Sequence, residues 1–334
     1  MARIGPAVYL RKNPGGPLLT EMFPELIIRH FTWDDAPAVV DLFNLAAAAD
    51  GLEQWLTLPG FRREFGGPLA RPERDILLAQ HSDHIVAAVL AWMEGREHAP
   101  QPIMPLLLSL HPAYRDSDIG ARLLDLALAQ GRELGAAIAT SPARPQEPYK
   151  RRLLLAHGFT YGRSWWRLRA DLTGGCYVGE LPAGLHARAY QDHRDDAPLV
   201  ALVNDIFSTA YLDRVYDEAE IRHWVMDQDF DPELLTLVVA EPDGTFVGYV
   251  WGWVDSDSDE RAGFIGDLGV QAAYRGRGLG RWLLQRAKAD LRARGMDWAD
   301  LDVDGTNHQA RRLYESEGFR VREEVQWYEK RLLE

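Results

Sequence analysis

The residues best suited to chemistry lie in the stretch GFIGDLGVQAAYRGRGLG, Gly263 to Gly280. A glycine-spaced apolar run that predicts a strand passes through Leu268, Gly269 and Val270 into the turn Arg275-Gly276-Arg277-Gly278-Leu279-Gly280. The amphipathic segment RWLLQRAKADLRARG follows directly. Backbone N–H groups can cradle a pyrophosphate only where no side chain blocks the approach and the turn reaches unusual φ/ψ values. Gly276, Gly278 and Gly280 allow both. The helix that opens there adds unpaired N–H groups and a positive dipole end, and Arg275 and Arg277 can add charge from the rim. The predicted arrangement is strand, anion-binding loop, helix.

The elements that must position this loop occur twice in the chain. HARAYQDHRDDAPLVALVNDIF repeats IIRHFTWDDAPAVVDLF, including an Asp-Asp-Ala-Pro helix start at Asp34 and again at Asp195. LTLVVAEPDGTFVGYVWGWV repeats the hairpin ILLAQHSDHIVAAVLAW, with an Asp-Gly turn at Asp243. PLLLSLHPAYRDSDIGARLLDLALAQGRELG repeats IGDLGVQAAYRGRGLGRWLLQRAKADLRARG, and RRLLLAHGF at Arg151 repeats RRLYESEGF at Arg311. Four blocks in one order and at near-constant spacing mark two copies of one α/β domain. The reading is a Pro/Gly-rich arm over 1–25, a first domain over 26–171, a linker over 172–184 and a second domain over 185–334. The copies differ where the chemistry would be. Arg115-Asp116-Ser117-Asp118-Ile119-Gly120 replaces two of the loop's three glycines with aspartates in the first copy, and Leu154 stands where the second has Tyr314. The first copy is expected to keep the fold and to have lost the site.

At 334 residues the chain is long enough for two domains. Its hydrophobic share of 46% and charged share of 26% fit a globular protein rather than a disordered one. The single cysteine, Cys176, excludes an internal disulfide framework and a thiolate zinc cluster, and neither His223 nor His308, the histidines near the predicted site, has metal-ligand spacing with a partner, so no metal is expected. With no 18-residue apolar run and no charged-then-apolar leader, the expectation is a cytoplasmic protein, neither secreted nor membrane-spanning. The net charge of −13 falls wholly in the second half: residues 176–334 hold 18 basic and 31 acidic residues, against 19 of each in 1–175. That field disfavours nucleic acid and permits a cationic small-molecule partner, although a solvated acidic surface explains most such charges. Trp92, Trp251 and Trp253 recur at matched strand positions and predict core or hairpin packing rather than base stacking. The sequence leaves the oligomeric state open, and two domains paired in one chain are compatible with a monomer.

Arg275-x-x-Gly278-x-Gly280 after a strand ending at Val270, then the helix to Gly295, the strand DWADLDV, Asn307, Tyr314 and Gly318-Phe319, together resemble the GCN5-related N-acetyltransferases (GNAT) in both halves. The chain is most similar to the tandem members of that family, mycothiol synthase among them. The resemblance implies two tandem GNAT-fold domains, each a mixed, mostly antiparallel sheet flanked by helices, with the second catalytic. It implies acetyl-CoA as cofactor, its pyrophosphate on Arg277 to Gly280 and its pantetheine along Leu268 to Val270. The Val270 N–H then faces the thioester carbonyl. Asn307 is either a pantetheine contact or a helix cap. Tyr314 is the implied general acid for the leaving thiolate, with a packed core tyrosine as the competing reading. Asp267 is a base or amine-binding residue, or an exposed strand-end carboxylate. The mycothiol-type pattern places its acid nearer the strand start, where this chain has Phe264. Tyr211, Tyr216, Asp217, Glu220 and His223 fall in the region that covers the acceptor. The implied reaction is direct attack by a primary amine in a ternary complex. The rival readings are a non-catalytic CoA-binding sensor or scaffold, and an acyltransferase using another acyl-CoA or a protein amine.

Overall fold

The structure is a computed structural model, and it describes residues 26–52, 56–67, 70–93, 102–207, 216–225, 230–241, 243–254 and 260–333. The chain divides into two compact units, Met1–Gly162 with Gln326–Glu334, and Arg163–Val325. Among the described residues no helix is long and apolar enough to cross a membrane.

The first unit contains β1 (Leu26–His30), α1 (Ala36–Ala49), α2 (Leu58–Phe65), α3 (Pro72–Asp75), β2 (Ile76–His81), β3 (His84–Ala91), β4 (Ile103–Leu110), α4 (Ile119–Glu133), β5 (Ile138–Ala143) and α5 (Pro148–Ala156). β6 (Thr160–Asp171) crosses into the second unit, which continues with β7 (Leu185–Ala189), α6 (Asp196–Phe207), α7 (Glu218–Val225), β8 (Leu235–Ala240), β9 (Phe246–Val254), β10 (Ala262–Val270), α8 (Leu279–Ala293), β11 (Trp298–Asp304) and α9 (His308–Ser316). β12 (Arg320–Arg331) returns to the first unit.

Each sheet is mixed. In the second unit the strand order is β6-β11-β10-β9-β8-β7, with only β10 and β11 parallel. In the first it is β1-β2-β3-β4-β5-β12, with only β4 and β5 parallel. Alternate strand residues face opposite sides, so each sheet carries two cores. In the second unit α8 and α9 cover one face over Val238, Val250 and Ile265, while α6 and α7 cover the other over Leu237, Val239 and Tyr249.

The paired Asp-Asp-Ala-Pro signals act as locks at a strand-to-helix turn. Asp195 accepts both guanidinium N–H groups of Arg188 at 2.5 and 2.7 Å and the Gln191 N–H at 2.7 Å. Asp35 repeats this with Arg29 at 2.6 and 2.7 Å and the Thr32 N–H at 2.8 Å. Burial pushes both carboxyls up, but these donors outweigh it and hold each below the usual carboxylate range.

The compact units and the sequence repeats part company at the final strands. The sequence assigns β6 to the first domain of 26–171 and β12 to the second of 185–334. Instead Trp165–Asp171 of β6 pairs along the whole of β11, from Trp298↔Asp171 to Asp304↔Trp165, and Gln326–Arg331 of β12 pairs with β5. The β6–β11 pairing carries a ladder of charge pairs on one face. Arg169 binds Asp300 at 2.7 and 2.6 Å, Arg167 binds Asp302 at 2.9 and 3.0 Å, and Arg163 binds Asp304. Such two-pronged guanidinium–carboxylate pairs fix register as well as adding energy. A polypeptide of residues 185–334 alone is therefore expected to lack a cooperative thermal transition by circular dichroism, because β11 loses its partner and its aspartates lose their arginines. A full-length-like transition in that fragment would contradict the exchange.

Candidate active site

Strand β10 is paired on both sides only at its start. Its parallel register with β11 runs from Ala262↔Trp298 to Ile265↔Leu301, while the antiparallel register with β9 continues to Val270↔Gly248. Beyond Ile265 the two parallel strands separate. The β9 register shifts between Ile265 and Asp267, so Gly266 is the extra residue of a bulge. A Cβ there would lie 2.1 Å from the Trp253 ring, so glycine is required. The bulge sets Phe264, Asp267 and Gly269 on the face of Tyr249, Trp251 and Trp253, and turns Leu268 and Val270 to the α8 face. Without it Asp267 would point the other way.

Backbone direction follows from the same ladder. The Gln271 N–H donates to the Val247 carbonyl at 2.9 Å, which makes Val270↔Gly248 a non-hydrogen-bonded pair. The Val270 N–H and carbonyl therefore point away from β9, into the gap where β11 has departed. Arg275 Nε–H donates to that carbonyl at 2.9 Å.

The loop between β10 and α8 holds two left-handed residues, Gly276 with φ 75° and Gly278 with φ 85°. Nothing lies within 4 Å of a Cβ built on either, so their glycines serve conformation and leave the space over the backbone open. Gly278 is the N-cap of α8 and supplies no side chain, which leaves the first N–H groups of the helix to an outside partner. Gly280 sits above Leu313, Val270 and Leu268, with a built Cβ at 3.6 to 4.0 Å from them. Leu279 is buried in the core. The Arg277 guanidinium lies 5.3 Å from the Tyr274 ring centre. A cavity of about 220 Å³ flanks the loop, lined by Pro182 to Leu185 with Tyr274, Arg277 and Leu279.

Tyr314 reaches the site from α9. Ala310, Leu313 and Tyr314 share the face packed on the core, as their spacing predicts, and the Tyr314 ring is 6.1 Å from that of Phe319. Burial pushes the phenol up to about 12, and the negative charge of Asp267 adds to the shift. The hydroxyl therefore keeps its proton throughout the neutral range, and Asp267 lies within its electrostatic reach. Asn307 caps α9, its Oδ1 accepting the Ala310 N–H at 3.0 Å. At the other end of β10, Phe264 stacks on Trp253 with ring centres 4.7 Å apart and on the Arg167 guanidinium at 5.2 Å. Trp251 packs on Trp253 and on Phe230, as expected of hairpin aromatics.

Among the expected acceptor contacts, Tyr216 and Asp217 are half-buried at the start of α7. The Asn204 side chain clamps Tyr216 by accepting its N–H and donating to its carbonyl, both at 2.9 Å. Glu220 and His223 lie on α7 with side chains outside the described residues, and Tyr211 lies outside them altogether. One residue escapes the sequence reading. Tyr249, 1% exposed, has a buried hydroxyl with no hydrogen-bond partner among the described residues. Its only sequence signal is the alternation of FVGYVWGWV, which sets it on the face of Trp251 and Trp253.

Residues 197–319 match the Acetyltransferase (GNAT) family. A mycothiol acetyltransferase of Thermobispora bispora is 32% identical over 288 residues, covering 85% of this chain and 92% of its own. In fold, the chain is similar to a GCN5-related N-acetyltransferase from Sphaerobacter thermophilus, at a TM-score of 0.77 and 23% identity over 93% of this chain and 96% of that one. A tandem GNAT protein from the clavulanic acid biosynthesis pathway gives 0.71 at 16% identity, over 93% and 99%. The chain belongs to the GCN5-related N-acetyltransferase family, in its tandem form, and is an enzyme of that acetyltransferase type.

The first unit shows the same framework with its gap filled. β4 pairs with β5 only from Ile103 to Pro105, so the strands separate there too. Yet Asp118 at the α4 N-cap has φ −84°, and no residue from Arg115 to Gly120 is left-handed. A Cβ on Gly120 would meet Leu110 at 2.9 Å and Leu153 at 3.1 Å, where its counterpart Gly280 has room. Arg115 turns inward to Asp50, at 2.8 Å from each carboxylate oxygen, and to the Ala46 carbonyl at 3.1 Å. Its guanidinium stacks 4.1 Å above Tyr149. Glu147, the counterpart of Asn307, is buried with Lys150 at 2.9 Å. Burial pushes the Glu147 carboxyl up, but Lys150 and the Arg144 N–H outweigh it and hold it below the carboxylate range. Because Lys150→Met leaves that carboxylate buried without its ammonium, it should cost about 3–5 kcal/mol in urea denaturation. The double variant Glu147→Gln/Lys150→Met should recover most of the loss.

Proposed function

We propose that the second unit transfers the acetyl group of acetyl-CoA to the primary amine of a small, cationic acceptor by direct attack in a ternary complex. The observation that carries this reading is the separated end of β10. There the Val270 N–H points into the gap, the Gly266 bulge turns Asp267 onto the acceptor face, and Tyr314 stands within the field of that carboxylate.

The residues present suit acetyl-CoA. The Gly276–Gly280 backbone and the open α8 N-terminus would hold its pyrophosphate, and the N–H groups of β10 that face the gap would hold its pantetheine arm. Asn307 would contribute its side-chain amide N–H groups, since its Oδ1 already serves the cap. When bound, acetyl-CoA supplies the acetyl group as a thioester. Asp267 accepts a proton from the acceptor's ammonium, leaving a nitrogen lone pair free to attack. The Val270 N–H donates to the acyl oxygen as negative charge develops there, an interaction worth about 3–4 kcal/mol in such sites. Tyr314 holds its proton at Oη for the departing sulfur, and burial ensures that it is protonated at neutral pH.

The relative named mycothiol acetyltransferase supports a small-molecule acceptor. Phe264, in its stack with Trp253 and Arg167, makes the strand-start side of the acceptor cleft aromatic where the mycothiol-type pattern has an acid. The acidic stretch Asp205 to Glu260, with 15 acids against Arg214 and Arg222, favours a cationic amine. A panel of acyl-CoAs crossed with putrescine, glucosamine, kanamycin and a dipeptide, read as amine-dependent CoA release, tests the reading. Acetyl-CoA with a cationic amine should give the fastest release, and an equal rate with the dipeptide, which carries no net charge, would count against the charge argument. Tyr314→Phe should lower kcat on the order of 10²- to 10⁴-fold with little change in the KM for acetyl-CoA, and an unchanged kcat would remove Tyr314 as the acid.

A further inference from the structure

Tyr249 occupies a position that packing alone does not explain. Its ring lies on the α6/α7 face of the sheet, over Gly269, the residue before Val270. A Cβ on Gly269 would sit 2.9 Å from Tyr249 Cε1 and 2.9 Å from Ile206 Cδ1, so the glycine makes room for the ring. The surrounding cluster is mainly apolar, with Leu202, Val203, Leu237 and Val239 among its members. Phenylalanine would fill the same space, yet a hydroxyl is buried there without a partner among the described residues. A buried unpaired hydroxyl destabilises a fold, and where one persists it calls for a bound partner or a function.

Two polar side chains share its surroundings: Asp267, which pairs opposite Trp251 on the face that carries Tyr249, and Tyr216, which packs against the same cluster, and both act on the hydroxyl electrostatically. Tyr216 is fixed by the Asn204 clamp, and Asp267 by the bulge that turns it to this face. Carboxylate and phenol oxygen together match an amine, whose several N–H groups need more than one acceptor.

We infer that Tyr249 is a further acceptor-binding residue, its hydroxyl oxygen accepting an N–H of the acceptor amine beside Asp267. The inference rests on the acetyltransferase reading and deepens it. The unpaired hydroxyl of the free chain is then a place kept for the acceptor.

Tyr249→Phe in the full chain tests this, because it deletes the hydroxyl and leaves the ring. The amine turned over fastest among putrescine, glucosamine, kanamycin and a dipeptide is the probe. The melting temperature should stay level or rise, and kcat/KM for the amine should fall tenfold or more, with the KM for acetyl-CoA unchanged. A lower melting temperature would show that the hydroxyl has a structural partner and overturn the inference. So would an unchanged kcat/KM for the amine, or a change in the KM for acetyl-CoA. No amine-dependent CoA release in the wild type would overturn the acetyltransferase reading for these amines and this inference with it. Release that Tyr249→Phe reproduces would overturn the inference alone.

Discussion

The second unit depends on β10 and β11 parting after Ile265. A strand in mid-sheet normally spends its N–H and carbonyl groups on both neighbours, and leaving one edge unmade in a buried place is unfavourable. Here the edge is left unmade for five residues, Gly266 to Val270, while β9 still holds the other side. A row of backbone groups is thereby aimed into a gap that ends at the open N-terminus of α8. The bulge at Gly266 divides the side chains so that apolar Leu268 and Val270 meet α8 and Asp267 meets the opposite face.

A gap of this kind needs support on its far side. β11 gives up β10 after Leu301 but is paired with β6 along its full length, and three arginines of β6 bind three aspartates of β11 at alternate positions. The ladder secures the strand where it has lost its other neighbour, and β11 leads through Asp304 and Thr306 into the helix that carries Tyr314. The first unit opens in the same way between β4 and β5, so the separation belongs to the fold. What distinguishes the second unit is chemistry at the opening. It has two left-handed glycines instead of aspartates, looser packing over Gly280 than the leucines allow over Gly120, and a tyrosine at the position of Leu154.

Much of this was legible in the sequence, because the signals were local and repeated. The glycine spacing of Arg275 to Gly280 specified a left-handed turn before a helix, and the comparison with Arg115 to Gly120 identified the altered copy. Helical spacing placed Ala310, Leu313 and Tyr314 on one face. The exchange of β6 and β12 was not legible. Both strands follow the same Gly-Phe signal in their repeats, and pairing partners far apart in sequence leave no local mark. Nor was the Gly266 bulge, since a lone glycine in a strand does not specify a register shift. The unpaired hydroxyl of Tyr249 depends on what surrounds it in three dimensions, so an alternating aromatic strand read only as packing.

The central claim is that one loop, in the second unit, still binds the donor. Isothermal titration of the full chain with acetyl-CoA tests it most directly, alongside Gly278→Asp, which introduces the residue of the altered copy at a left-handed position facing open space. The account predicts one site per chain in the wild type and none in the variant, with the fold retained by circular dichroism. Two sites per chain, or binding undiminished in Gly278→Asp, would contradict it.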